Sequence, residues 1–186
     1  MHITLTYRGP IPGNARKKQD VWRLREAFHH QLAKIRNTEQ FNYVDSYLAT
    51  ATHQRRGDLR RRIGGKFFNP FITDLFKTRC SLYIRVFRGM RQFNPVLGNV
   101  DLDNRVKTII DGLRAPSQQG EMIEIERETT YVLIDDDSIV DGITIKSDHL
   151  LDEDDEEVVL AIVTANIHLS HATWENIHLG YPSEAY

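Results

Sequence analysis

The sequence predicts an α+β fold: a mixed β-sheet carrying two principal helices, in the order β-α-β-α-β-β. Three observations lead there. Apolar residues recur at helical spacing in two stretches, one opening near Asp20 and one near Asp103. Residues 79–88 alternate, with Leu82, Ile84 and Val86 on one face and Tyr83, Arg85 and Phe87 on the other. Residues 158–167 form an apolar, β-branched run suited to a buried strand. A chain of 186 residues, 40% hydrophobic and 27% charged, suits a single domain with its own core.

Taken in order, residues 2–7 set Ile3, Leu5 and Tyr7 against polar neighbours and read as a half-buried strand. Residues 8–14 hold two prolines and two glycines and read as a loop. From Asp20, a candidate N-cap, the positions Val21, Leu24, Phe28, Leu32 and Ile35 predict a helix over 20–36. Residues 37–78 carry no clear period and read as an insert. They contain the basic run Arg55, Arg56, Arg60, Arg61 and Arg62. After the strand over 79–88 and a Pro/Gly/Asn connection, Val106, Ile109, Ile110 and Leu113 share one face of a helix over 103–114, which Pro116 stops. Residues 117–128 are polar and glutamate-rich, an exposed excursion. Strands follow at 130–134 and 139–146, and the acidic run 152–157 reads as a solvated turn. The tail, 168–186, has no assignable period.

The lone Cys80 cannot form an internal disulfide and is expected in the core. No run of about 20 apolar residues crosses a bilayer, and no signal peptide opens the chain. The expectation is a cytoplasmic protein with no membrane partner. Residues 1–107 carry 21 of the 24 Lys and Arg but 8 of the 26 Asp and Glu, so the net charge of −2 hides a basic and an acidic part. That asymmetry fits polyanion binding by the basic part, or mutual neutralisation of the two parts in the fold. The candidates for phosphate contact are Arg16, Lys17, Lys18, Arg55, Arg56, Arg60, Arg61 and Arg62.

Two acidic clusters carry the chemistry. Asp101 and Asp103 stand at the start of the second helix, with Lys107 and Asp111 at successive four-residue steps beyond Asp103. Asp135, Asp136 and Asp137 end an apolar strand, a repulsive grouping that calls for a cation or a basic partner nearby. Carboxylates beside a basic surface suit a magnesium site acting on nucleic-acid phosphate. The simpler account makes Asp103 an N-cap with Lys107 as its helical partner, and leaves the triplet in a solvated turn.

Asp101-Leu102-Asp103-Asn104-x-x-Lys107-x-x-x-Asp111-Gly112-Leu113, followed by Asp136-Asp137-Ser138-Ile139-Val140, resembles the RusA-like Holliday-junction resolvases. Ile3-Thr4-Leu5 with its loop, and residues 140–146, also sit where that family has similar elements. The resemblance covers about half of the chain; the connection between Leu113 and Asp135 is longer than the family's, and 37–78 is expanded. It implies one RusA-like nuclease domain over 1–186 with inserts at 37–78 and 117–130. It further implies Mg²⁺, with Mn²⁺ as a substitute, held by Asp101, Asp103 and Asp137. Asp136 is the acidic neighbour, and either member of that pair can be the main ligand. Lys107 would assist catalysis, with Asn104 and Asp111 standing behind these groups. The implied activity is hydrolysis of branched DNA by a homodimer in recombination or repair, nucleoid-associated in a bacterium or phage.

Other readings fit less of the chain. A non-catalytic nucleic-acid-binding protein would keep the basic surface without needing the carboxylates. A phosphoribosyltransferase-like reading uses residues 131–142 but leaves Asp101, Asp103 and Lys107 unexplained. An EF-hand fails at Arg105 and Val106. The spacing of His168, His171 and His178 fits no strong zinc pattern.

Overall fold

A computed structural model describes residues 1–12, 17–38, 59–89, 98–153, 158–173 and 176–177, the side chains of 98–101 excepted. Arg16, Arg55 and Arg56 lie outside the described residues, as do His178 and Trp174. The elements run β1 (His2–Pro10), α1 (Lys18–Arg36), β2 (Arg61–Ile63), β3 (Lys66–Ile72), β4 (Thr78–Gly89), α2 (Gly98–Leu113), β5 (Thr129–Ile134), β6 (Val140–Leu150) and β7 (Val158–Leu169). The fold is α+β, with two α-helices and two mixed sheets among the described residues.

One sheet has the order β1-β7-β4-β6; β7 is antiparallel to both neighbours, and β4 runs parallel to β6. The alternation read at 79–88 decides which face is buried. Leu82, Ile84 and Val86 are at most 1% exposed, and in register with them stand Ala161, Val163 and Ala165 of β7. Ile3, Leu5 and Tyr7 of β1 complete that face. Leu24, Phe28 and Leu32 of α1, with Val106, Ile109 and Leu113 of α2, pack into the same core. Both helical stripes read from spacing are therefore the buried ones, and Cys80 lies fully buried among them.

The second sheet, β2-β3-β5, comes largely from the insert that showed no period. β2 and β3 form a hairpin over Gly64-Gly65, whose φ values of 56° and 80° suit the tight turn between them. β3 contains Pro70, which argues against a central strand. β2 pairs only as far as Phe68, however, so beyond it β3 bonds, among the described residues, to β5 alone, in parallel. Trp22, Ile63, Phe68, Ala115 and Val132 form a small core here, with Met122, Ile123 and Ile125 packed on it. The excursion after α2 is thus partly folded back: Trp22 Nε1 donates to the carbonyl of Glu121 at 3.1 Å.

Several boundaries move. The element order gains two strands before β4 and has three after α2. α1 begins at Lys18, so Asp20 lies in its first turn and pairs with Arg23 instead of serving as the cap. α2 begins at Gly98, so Asp101 and Asp103 are both inside the helix, and Asp103 is not its N-cap. β1 continues to Pro10, where an edge strand tolerates proline.

Two close contacts set the helix arrangement and are testable. A Cβ on Gly112 would lie 2.8 Å from Leu24 Cβ, so α1 and α2 approach across this glycine. Gly112→Ala gains about 1 kcal/mol of helix propensity, but it forces the helices apart where overpacking costs about 1–3 kcal/mol. The expected sign is net destabilisation, read as a lower urea midpoint. The backbone N–H of Tyr131 donates to His29 Nδ1 at 2.9 Å, so that nitrogen is unprotonated in the fold. Burial, then the nearby charge of Arg127, pushes His29 down to about 4. The unfolded chain takes up this proton near pH 6.5. The contribution is therefore complete above pH 6.5 and is lost as pH falls toward 4. His29→Gln should flatten the slope of unfolding free energy between pH 6.5 and 4.

Candidate metal-binding and nucleic-acid-binding site

The acidic triplet is positioned by two sheets meeting at its strand end. β5 ends at Ile134, and the N–H of Asp135 donates to the carbonyl of Ile72 at the end of β3 (3.0 Å). Residues 137–139 then form one 3₁₀ turn that leads into β6 beside β4. Each aspartate has a different environment. Asp135 faces Arg61 Nη1 at 3.4 Å and the Thr73 hydroxyl at 3.4 Å. Asp136 caps the turn, accepting from the N–H of Ser138 at 3.0 Å. That backbone bond, aided by the Ser138 hydroxyl and Arg61, holds the Asp136 carboxyl below its ordinary value, so it is ionised at neutral pH. Asp137 is exposed.

The basic partner expected for this trio is present. Arg61 bonds both the carbonyl and the carboxylate of Asp135, and Arg79 donates to the carbonyl of Ser138 at 2.8 Å. Of the basic run, Arg60 and Arg62 flank the Phe67 ring at 4.7 and 5.8 Å. An open hollow of about 520 Å³ separates this hairpin from the turn after β3, lined by Arg60, Arg61, Thr73, Asp74 and Asp135.

The other cluster stands on the outer side of α2. Lys107 Nζ lies 2.7 Å from Asp103 Oδ2, and both side chains are more than half exposed. Asn104 accepts, through its carbonyl, the Thr108 hydroxyl at 2.8 Å. Asp111 Oδ1 accepts from Arg114 Nε at 3.0 Å. α2 meets the strand that carries the trio at its far end from Asp103: Arg114 bridges Ile134, and the N–H of Ala115 donates to the Ile134 carbonyl at 3.1 Å. Asp103 lies ten residues before Leu113, about 15 Å up the helix axis from that junction.

The donors, all carboxylate oxygens, fit a hard divalent cation such as Mg²⁺. Among the described residues no three carboxylate, imidazole or thiolate groups are grouped closely enough to hold a metal ion. The Asp101 side chain lies outside those residues.

Sequence reasoning missed two groups. Arg25 is 1% exposed; its Nε and Nη2 donate to the carbonyls of Arg114 and Asp111, and its guanidinium lies 4.7 Å from the Trp22 ring. The signal was its position, four residues after Val21 and three before Phe28, inside the apolar arc. Asp141 is skipped in the β4–β6 register, accepts from the Ser81 hydroxyl at 3.1 Å and meets His168 Nε2 at 2.5 Å. No sequence period reveals that bulge.

No helix among the described residues is long and apolar enough to cross a membrane. Comparison with protein-family models, with curated proteins and with solved structures gives no match.

Proposed function

We propose that this protein is a Mg²⁺-dependent endonuclease that hydrolyses phosphodiesters in four-way or related branched DNA, acting as a homodimer. The observation that carries the reading is the juxtaposition of the basic β2–β3 hairpin with the acidic trio, through Arg61 and Asp135 at 3.4 Å. Unpaired carboxylates would repel a phosphate backbone, and basic residues alone would bind it without chemistry. Both together suit a site that grips a backbone and acts on it.

The resemblance assigns the cation to Asp101, Asp103 and Asp137, with Asp136 beside them. Asp103 stands about 15 Å along α2 from the junction at Ile134, so a shared ion requires the start of α2 and the trio to close together. When bound, the cation supplies Lewis-acid stabilisation of charge on the phosphate oxygens. Lys107, held by Asp103, presents a fixed positive charge to the same oxygens, where preorganised charge acts most strongly. Asp136 is kept ionised by the Ser138 N–H, and Arg61 fixes Asp135 so that the turn keeps its shape. Lys17, Lys18, Arg60 and Arg62 supply sequence-blind attraction to the backbone.

The test is a synthetic four-way junction incubated with the full chain in Mg²⁺ and, separately, in EDTA. Paired nicks at symmetric positions in Mg²⁺ alone are the expected result. Binding without cutting in either Mg²⁺ or Mn²⁺ would defeat the nuclease assignment in favour of a nucleic-acid-binding protein.

A further inference from the structure

A second cleft, of about 490 Å³, opens between the start of α1, the end of α2 and the turn Gln119–Glu121. Lys17, Lys18, Arg25 and Arg114 line it, against two carboxylates, Asp111 and Glu121. Both carboxylates are engaged by Arg114, at 3.0 and 3.2 Å, and the four basic side chains outnumber them by two. We propose that this cleft binds a phosphate group of a nucleic-acid backbone.

Three observations converge on an anion there. α1 is 19 residues long and starts in this cleft, and the Lys17 side chain does not cap it. Its first N–H groups and dipole therefore favour a negative ligand. Arg25, almost wholly buried in the cleft wall, has Nε and Nη2 committed to carbonyls, while its buried Nη1 has no hydrogen-bond partner among the described residues. A buried donor left unmatched is rare, and one on a guanidinium calls for an acceptor. Arg114 also stands near Arg25; burial and that repulsion together draw Arg25 down to about 10, a strain that an anion relieves.

The partner follows from what lies beside the cleft. Asp103, Lys107 and Asp111 fall at four-residue steps and share one stripe of α2. Asp111, in the cleft, is about 12 Å along the axis from Asp103. An extended phosphodiester chain lying along that stripe reaches both, whereas a free phosphate ion uses only the cleft. The inference does not depend on metal chemistry, since a backbone anchor serves a binding protein as well as a nuclease.

The test has two arms on the full chain, both in EDTA. In the first, inorganic phosphate is titrated while the amide resonances of Lys18 and Gln19 and the Nε–H of Arg25 are followed. Saturable shifts confined to these groups are expected. In the second, Lys17→Gln/Lys18→Gln is compared with the wild type for binding to a labelled four-way junction across salt concentrations. A roughly tenfold weaker association at low salt is expected, with a salt slope smaller by one to two. Wild-type affinity and slope in the double variant would overturn the proposal. Phosphate shifts without any change in junction binding would replace the nucleic acid with a small free anion. Weaker junction binding by the double variant, together with an uncut junction in the separate Mg²⁺ incubation, would leave the cleft standing and remove the nuclease reading.

Discussion

Asp103→Asn and Asp137→Asn are each expected to cut junction cleavage by about 10²–10³ or more while leaving junction affinity within about threefold. Asparagine keeps the shape of the side chain and removes only its charge. Both side chains are exposed, so the fold should tolerate the change. The magnitude separates two accounts of Asp103. As a helical partner of Lys107 and nothing more, it contributes about 0.3–0.5 kcal/mol, and its loss leaves turnover unaltered. As part of a site where negative charge is gathered for a cation, its loss stops the reaction and spares binding. Asp135→Asn is the control, because Asp135 is held by Arg61 and Thr73. Its loss should loosen the β2–β3 hairpin, lowering affinity and stability together. Quantitative gel assays of nicking and binding on the same protein preparations decide between these patterns. Cleavage by Asp103→Asn at the wild-type rate would count against the proposed site.

Arg25→Met is expected to cost about 3 kcal/mol of unfolding free energy, the largest single effect on stability foreseen here. Methionine fills much of the same volume, so little of the loss comes from a cavity. The loss comes from the end of α2, where a helix leaves carbonyls without partners. Arg25 Nη2 meets the Asp111 carbonyl at 2.6 Å, and Nε and Nη2 share that of Arg114. Removing the guanidinium strands these buried acceptors, each worth about 1–3 kcal/mol. Removing a desolvated charge gives part of that back, which is why the net is set below the sum. Arg25→Lys should fall between the two, because an ammonium cannot reach both carbonyls in the forked geometry of a guanidinium. Urea unfolding monitored by circular dichroism measures the difference. A loss under about 1 kcal/mol for Arg25→Met would show that water replaces the guanidinium at the helix end.

Stretches where one physical signal dominates were legible in the chain. At 79–88 the period of two is uninterrupted, and β4 buries the expected Leu82, Ile84 and Val86. In α2 the spacing of Val106, Ile109 and Leu113 marked the buried face, although the helix opens earlier, at Gly98. The insert gave no such signal, because β2 has three residues and β3 carries a proline. β3 also buries the consecutive residues Phe68, Asn69 and Pro70, which erases alternation. Pairing with β5, about 60 residues later in the chain, makes it a strand.

The sequence by itself determined the fold class, the two helical stripes, the strands of the larger sheet and the acidic residues worth testing. Those features depend on local period and residue type, which are written along the chain. Only the tertiary structure decided that the arginine hairpin abuts Asp135, that Asp136 caps a turn, and that Arg25 closes the end of α2. Each of these joins groups on different elements or depends on a local backbone turn. Such contacts are set by how strands and helices pack, and residue spacing carries no record of that.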